Sequence, residues 1–112
     1  MTNKYHNRKV EIDGMIFDSV AESRRYQELK LLQTAGEISD LIVHPRYVII
    51  DAYVYEGKTI RKSEYVGDFQ YFDSDGIQVT EDVKGFITKE YSLKKKLFLS
   101  RYPYIRFVEI PA

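Results

Sequence analysis

The sequence predicts an α/β fold, with a mixed central sheet flanked by helices and an N-terminal β-hairpin. Three observations predict it. Two segments with helical periodicity are separated by runs rich in β-branched and aromatic residues. Strong turn signals divide those runs, so the middle strands are antiparallel neighbours. The last strand follows a helix, a crossover that permits parallel pairing.

The elements follow in order. Val10 to Phe17 is a hairpin, two short apolar strands around Asp13-Gly14, a dipeptide that supplies positive φ. Ser19 to Ala35 is a helix whose apolar residues include Val20, Tyr26, Leu29 and Leu32, and Gly36 stops it. Ile38 to Val43 is a short apolar stretch ended by His44-Pro45. Tyr47 to Ile50 and Tyr53 to Tyr55 are strands, Glu56-Gly57-Lys58 is a turn, and Thr59 to Phe72 is one long strand. Asp73 to Gly76 is a turn. Ile77 to Lys84 alternates cleanly, with Val79, Glu81 and Val83 on one face and Thr80, Asp82 and Lys84 on the other. Lys89 to Arg101 is the second helix, broken by Tyr102-Pro103, and Tyr104 to Ile110 is the last strand.

Composition narrows the function. The 112 residues suffice for one domain, with residues 1–8 expected as a flexible tail. The absence of cysteine excludes a disulfide scaffold, a thiol nucleophile and a cysteine zinc site. Two distant histidines, His6 and His44, do not make a histidine cage, and His44 reads as a loop residue without a partner. No apolar run approaches the ~20 residues that span a bilayer, and the polar start lacks the apolar core of a signal peptide. A soluble, cytoplasmic protein with no membrane partner is expected. Net charge is zero, but it segregates: +3 over Met1–Lys9, −8 over Val10–Val83 and +6 over Lys84–Arg106. Basic ends around an acidic middle allow a carboxylate-lined site beside a basic surface, although a solvated surface is the default for any one block.

Asp68 sits inside an aromatic run, where a charge costs stability unless it faces a polar site. Asp82 and Lys84 share a face of the next strand. With Phe72 opposite Ile77, Asp68 faces Glu81; a shift of one residue puts it opposite Asp82. Either register brings Asp68 near Asp82. Two neighbouring carboxylates are stable around a divalent cation, and Mg²⁺ takes one or two carboxylates together with phosphate oxygens. An adjacent lysine can stabilise charge on a phosphoryl group in the transition state. Phosphodiester hydrolysis needs these parts. The competing reading is that Asp82 and Lys84 form a same-face ion pair of little energetic worth. Glu81 falls on the opposite face and reads as structural or solvated.

Asp68 followed by Asp82-Val83-Lys84 resembles the PD-(D/E)xK nuclease motif, with Gly67 where a proline often stands. The αβββαβ core of that superfamily matches the element order from Ser19 to Ile110. Members often carry a glutamate on the first helix, where Glu22 stands; Ser19-x-x-Glu22 is equally a capping box. Phe17 to Tyr26, Asp68-Phe69 and Glu81 to Gly85 resemble the short phage and prophage proteins of this superfamily, which are Holliday-junction-resolvase-like endonucleases.

The resemblance implies a restriction-endonuclease-like core and Mg²⁺-dependent cleavage of DNA, with Mn²⁺ as a substitute. Branched or recombination intermediates are the implied substrate, and a bacterial host cell the implied setting. Asp68, Asp82 and Glu22 are then the catalytic carboxylates and metal ligands, and Lys84 activates water or stabilises the transition state. Lys89, Lys94, Lys95 and Lys96 read either as a solvated helix face or as phosphate contacts, and Arg25 is placed with the DNA contacts. Cutting two strands of a junction suits a two-fold homodimer. The alternatives are a non-catalytic DNA-binding or phage-assembly module with the nuclease fold, and a small protein-interaction domain.

Overall fold

The computed structural model describes residues 8–112, so the expected tail lies outside the described residues apart from Arg8. β1 (Val10–Ile12) and β2 (Met15–Phe17) form the expected hairpin. α1 (Val20–Thr34) follows, with the Ser19 hydroxyl accepting the Glu22 amide at 3.1 Å. The Asp13 carboxylate accepts the Tyr26 hydroxyl at 2.7 Å and pairs with Lys30 at 2.6 Å, which fastens the hairpin to α1.

β3 (Ser39–Val43) and β4 (Arg46–Ile50) come next, then the hairpin of β5 (Tyr53–Tyr55) and β6 (Lys58–Ile60). β7 (Ser63–Val66), β8 (Phe69–Phe72) and β9 (Gln78–Lys84) precede α2 (Lys89–Arg101), and β10 (Arg106–Pro111) ends the fold. The central sheet runs β10-β9-β8-β3. β10 is parallel to β9, as a helical crossover allows, and the other pairs are antiparallel. The fold is α/β with a mixed sheet and, among the described residues, two helices.

The sheet is the middle of three layers. α1 covers one face, burying Phe17, Tyr26, Leu29, Phe69, Val79 and Val83. α2 and the β4–β7 pair cover the other, burying Tyr47, Tyr65, Tyr91, Phe98 and Ile105. The alternation of β9 maps onto these layers, with Val79 and Val83 toward α1 and Thr80 hydrogen-bonded to Tyr47 at 2.6 Å on the far side. No described helix is long and apolar enough to cross a membrane.

The single strand expected from Thr59 to Phe72 is three strands, β6, β7 and β8. β7 pairs with β4, whereas β8 pairs with β9 and β3. The chain changes partners at Gly67-Asp68: the Gly67 amide donates to Pro45 and the Asp68 amide to Glu81. A Cβ on Gly67 would lie 3.1 Å from Thr80 Cγ2 and 3.4 Å from Pro45 Cγ, so a side chain there would crowd both neighbours. Apolar residues on both sides hid this break from the pattern.

The β8–β9 register is the shifted one, with Phe72 opposite Gln78 and Phe69 opposite Glu81. The Asp73 carboxylate accepts the amides of Asp75 and Ile77, each at 2.9 Å. Ile77 thus joins the turn rather than the strand. The last strand likewise begins at Arg106, two residues later than expected.

Candidate metal and active site

Three elements converge at the point where the chain changes sheets. Glu22 stands in the first turn of α1, His44 follows β3, and Asp68 lies between β7 and β8. Each offers a ligand atom within 4.8 Å of the other two.

Local structure explains each position. Only half of the expected capping box is used: the Ser19 hydroxyl takes the Glu22 amide, but the Glu22 carboxylate turns to the site and approaches His44 Nε2 at 3.9 Å. His44 adopts a left-handed backbone, φ 56°, and its amide donates to the Asp68 carbonyl at 2.9 Å. That bond joins the two residues before their side chains meet. Asp68 Oδ2 accepts the Val83 amide at 2.6 Å, which fixes one carboxylate oxygen against β9.

Asp82 and Lys84 complete the constellation from β9. Asp82 is fully buried; its Oδ1 lies 3.5 Å from Lys84 Nζ, and its Oδ2 has no hydrogen-bond partner. Lys84 Nζ sits 4.5 Å from the centre of the Tyr91 ring, and the Tyr91 hydroxyl donates to Glu109 at 2.6 Å.

The electrostatics are those of crowded, dry carboxylates. Burial, then the charge and hydrogen bond of Asp68, push Glu22 up to about 8. Burial also raises Asp68, against the Val83 amide, which favours its charged form. Asp82 rises to about 6 through burial, opposed by Lys84. The Lys84 ammonium opposes the rise at all three carboxylates. One lysine faces three acids, two buried and one half-buried, so their charge is offset in part by the protons they retain. The orphaned Asp82 oxygen and the oxygen-and-imidazole donor set suit a divalent cation.

Over residues 2–110 the chain matches a family described as "Protein of unknown function (DUF1064)". It belongs to that family. No curated protein matches it.

In this DUF1064 chain the structure brings together Glu22 and Asp68 and adds His44 to them. The expectation that His44 has no partner is therefore corrected. Its signal was its place before Pro45, but its neighbours come from distant segments. Asp82 stands apart from that cluster, on Lys84.

Arg25, placed above with the DNA contacts, is instead the counter-ion of Glu81, with Nε and Nη2 each donating at 2.7 Å. Glu81 is buried on the α1 face and also accepts the Tyr71 hydroxyl, so it is structural. The α2 lysines divide. Lys94 pairs with Glu90 at 3.4 Å and Lys95 with Glu109 at 3.2 Å. Among the described residues Lys89 and Lys96 have no carboxylate partner, and both line a groove of about 320 Å³ with Ile87 and Leu93.

Proposed function

We propose that this protein is a metal-dependent endonuclease of the PD-(D/E)xK type. The observation that carries the reading is the convergence of buried Glu22 and half-buried Asp68, from separate elements, with Asp82 and Lys84 on the adjacent strand. The fold supports it. With the β4–β7 excursion set aside, α1, β3, β8, β9, α2 and β10 follow the αβββαβ order of a restriction-endonuclease-like core.

Glu22, His44 and Asp68 would hold the ion, and Asp82, outside that cluster, would hold Lys84 beside it. Bound there, Mg²⁺ or Mn²⁺ supplies a Lewis acid for a phosphate oxygen and makes water a better nucleophile. The chain's own residues do the rest. Lys84, between Asp82 and the Tyr91 ring, holds the incoming water and stabilises negative charge on the phosphate as the new P–O bond forms and the bond to the leaving sugar oxygen breaks. The water's proton passes to solvent and the leaving oxygen takes one up. Asp68, pinned by the Val83 amide, keeps its free oxygen in one orientation.

DNA is the substrate, with branched or recombination intermediates of phage or prophage replication preferred. The bacterial cytoplasm is the setting and a homodimer the working form. The unpaired Lys89 and Lys96 lie on the helix that starts five residues beyond Lys84 and suit phosphate contact. The test pairs metal binding with cleavage. Mn²⁺ should raise the melting temperature of wild type and not of Asp68→Asn, and end-labelled four-way junction, flap and duplex DNA should be cut only by the wild type. Tight DNA binding without metal binding or cleavage would favour a non-catalytic module.

A further inference from the structure

β4 and β7 leave the candidate site together. β4 starts two residues after His44, and β7 ends two residues before Asp68. Their base is held on α2 by Tyr47 and Tyr65, and Arg101 of α2 binds Asp51, just past β4, through both carboxylate oxygens at 3.0 and 2.9 Å. Beyond that clamp β5 and β6 continue as a two-stranded ribbon that, among the described residues, pairs with no third strand. Every residue of both strands is exposed. The radius of gyration is 16.0 Å, against about 13 Å for a compact chain of this length.

The ribbon's chemistry is uneven. Tyr53 faces Ile60 and Tyr55 faces Lys58 across the pair, so these four share one surface. The two tyrosines are more than half exposed. Within the acidic middle of the chain, Lys58, Arg61 and Lys62 put three cations into five residues. Among the described residues neither Lys58 nor Arg61 has a carboxylate partner. The tip is a tight turn: Glu56 and Gly57 both have positive φ, 47° and 76°, the geometry of a type I′ turn. A lone two-stranded hairpin is marginal in water, and one that displays aromatic and cationic side chains is suited to a polyanionic surface.

We propose that the β5–β6 ribbon is a duplex-binding arm that enters a groove of the DNA, with Lys58 and Arg61 on the flanking phosphates and Tyr53 and Tyr55 against the sugar–phosphate wall. The inference rests on the nuclease reading and extends it by naming how duplex beside the cut is held. Dimensions agree. A major groove about 12 Å wide admits a two-stranded ribbon. The ten residues from Arg46 to Tyr55 span at most about 33 Å at ~3.3 Å each. The arm therefore contacts duplex within about one helical turn of the scissile bond.

The chain has no cysteine, so Thr59→Cys places a single fluorophore on the ribbon face opposite the tyrosines, and Glu37→Cys serves as a remote control. Each is titrated at low salt, without metal, with mixed-sequence duplex of about three helical turns. Affinity is read separately from labelled DNA, for wild type and for Lys58→Ala/Arg61→Ala. The account expects the Thr59 label to respond and the Glu37 label to stay silent. It expects the double variant to bind about tenfold more weakly, with a salt dependence lower by about two released counterions. It also expects that variant to keep the wild-type melting temperature and Mn²⁺ shift. Wild-type binding matched by the double variant, with a silent Thr59 label, overturns the arm and leaves the nuclease reading standing. A Thr59 signal that depends on protein concentration alone, and that Tyr55→Ala abolishes in sedimentation, assigns the ribbon to self-association and also overturns it. Failure of the wild type to bind any DNA removes the nuclease reading, and the arm with it.

Discussion

The Arg25 guanidinium and the Glu81 carboxylate meet edge to edge, Nε on Oε1 and Nη2 on Oε2, both at 2.7 Å. The pair spans α1 and β9 on the face away from Lys84. Glu81 and Asp82 are adjacent acids on one strand, so they must point to opposite faces. Val79 and Val83 bury the Glu81 face, and the Arg25 pair satisfies the acid carried with them. Glu81 thus lies under α1 and Asp82 on the Lys84 side, and a slip of one residue would exchange them.

Removing Arg25 leaves a buried carboxylate without its partner. Arg25→Ala should cost about 3–5 kcal/mol of stability, visible as a large fall in denaturant midpoint, with Glu81→Gln milder. Unchanged stability together with lost DNA affinity would instead return Arg25 to a phosphate.

Once Glu22 gives up the proton it holds up to about pH 8, Glu22 and Asp68 repel each other, so above that pH neutralising one should relieve the metal-free protein. Glu22→Gln and Asp68→Asn are expected to raise the melting temperature in chelator and to abolish the rise that Mn²⁺ gives the wild type. Stabilisation and loss of metal response should appear in the same variants. A structural role for these acids predicts the opposite, a lower melting temperature with chelator present.

The pH dependence follows from the same burial. Glu22 is raised from 4.5 to about 8 and Asp82 from 3.8 to about 6. A carboxylate with a folded-state pKa above its unfolded value binds its proton more tightly when folded. In these windows the metal-free protein therefore loses stability as pH rises and recovers it as pH falls toward the unfolded values. Melting in chelator between pH ~5 and ~8 should show this slope, and Glu22→Gln should flatten its upper half. A profile that climbs toward pH 8 would rule out the buried, proton-holding pair.

His44 gives the ion a nitrogen ligand, and an imidazole suits a transition ion better than Mg²⁺. Equal concentrations of Mn²⁺ and Mg²⁺ should give a larger thermal shift with Mn²⁺. His44→Ala should narrow that gap and spare the Mg²⁺ response. An undiminished preference for Mn²⁺ in His44→Ala would place the imidazole outside the site.

Much of this was legible in the sequence because it is local. The Asp13-Gly14 turn, the Ser19 cap and the alternation of β9 each follow from neighbouring residues, and the crossover helix permits the parallel last strand. So does the placement of Glu81 and Asp82 on opposite faces. The break at Gly67-Asp68 was hidden because long-range pairing fixes it, Gly67 to Pro45 and Asp68 to Glu81, and not a turn signal. His44 was passed over for the same reason, since its partners lie 22 and 24 positions away, at Glu22 and Asp68. The Arg25 pairing was not legible because a surface arginine and the partner of a buried glutamate look alike until the fold brings Glu81 beneath it.

Glu22, Asp68, Asp82 and Lys84 are proposed to form one hydrolytic site. Its most direct test is cleavage of end-labelled four-way junction and duplex DNA in Mg²⁺ or Mn²⁺, wild type beside Asp68→Asn and Lys84→Ala. The account predicts metal-dependent cutting by the wild type, lost in Asp68→Asn and reduced about 10²-fold or more in Lys84→Ala, with DNA affinity kept in both. Cutting that survives in Asp68→Asn, or a folded, metal-binding wild type that cuts no DNA, would contradict it.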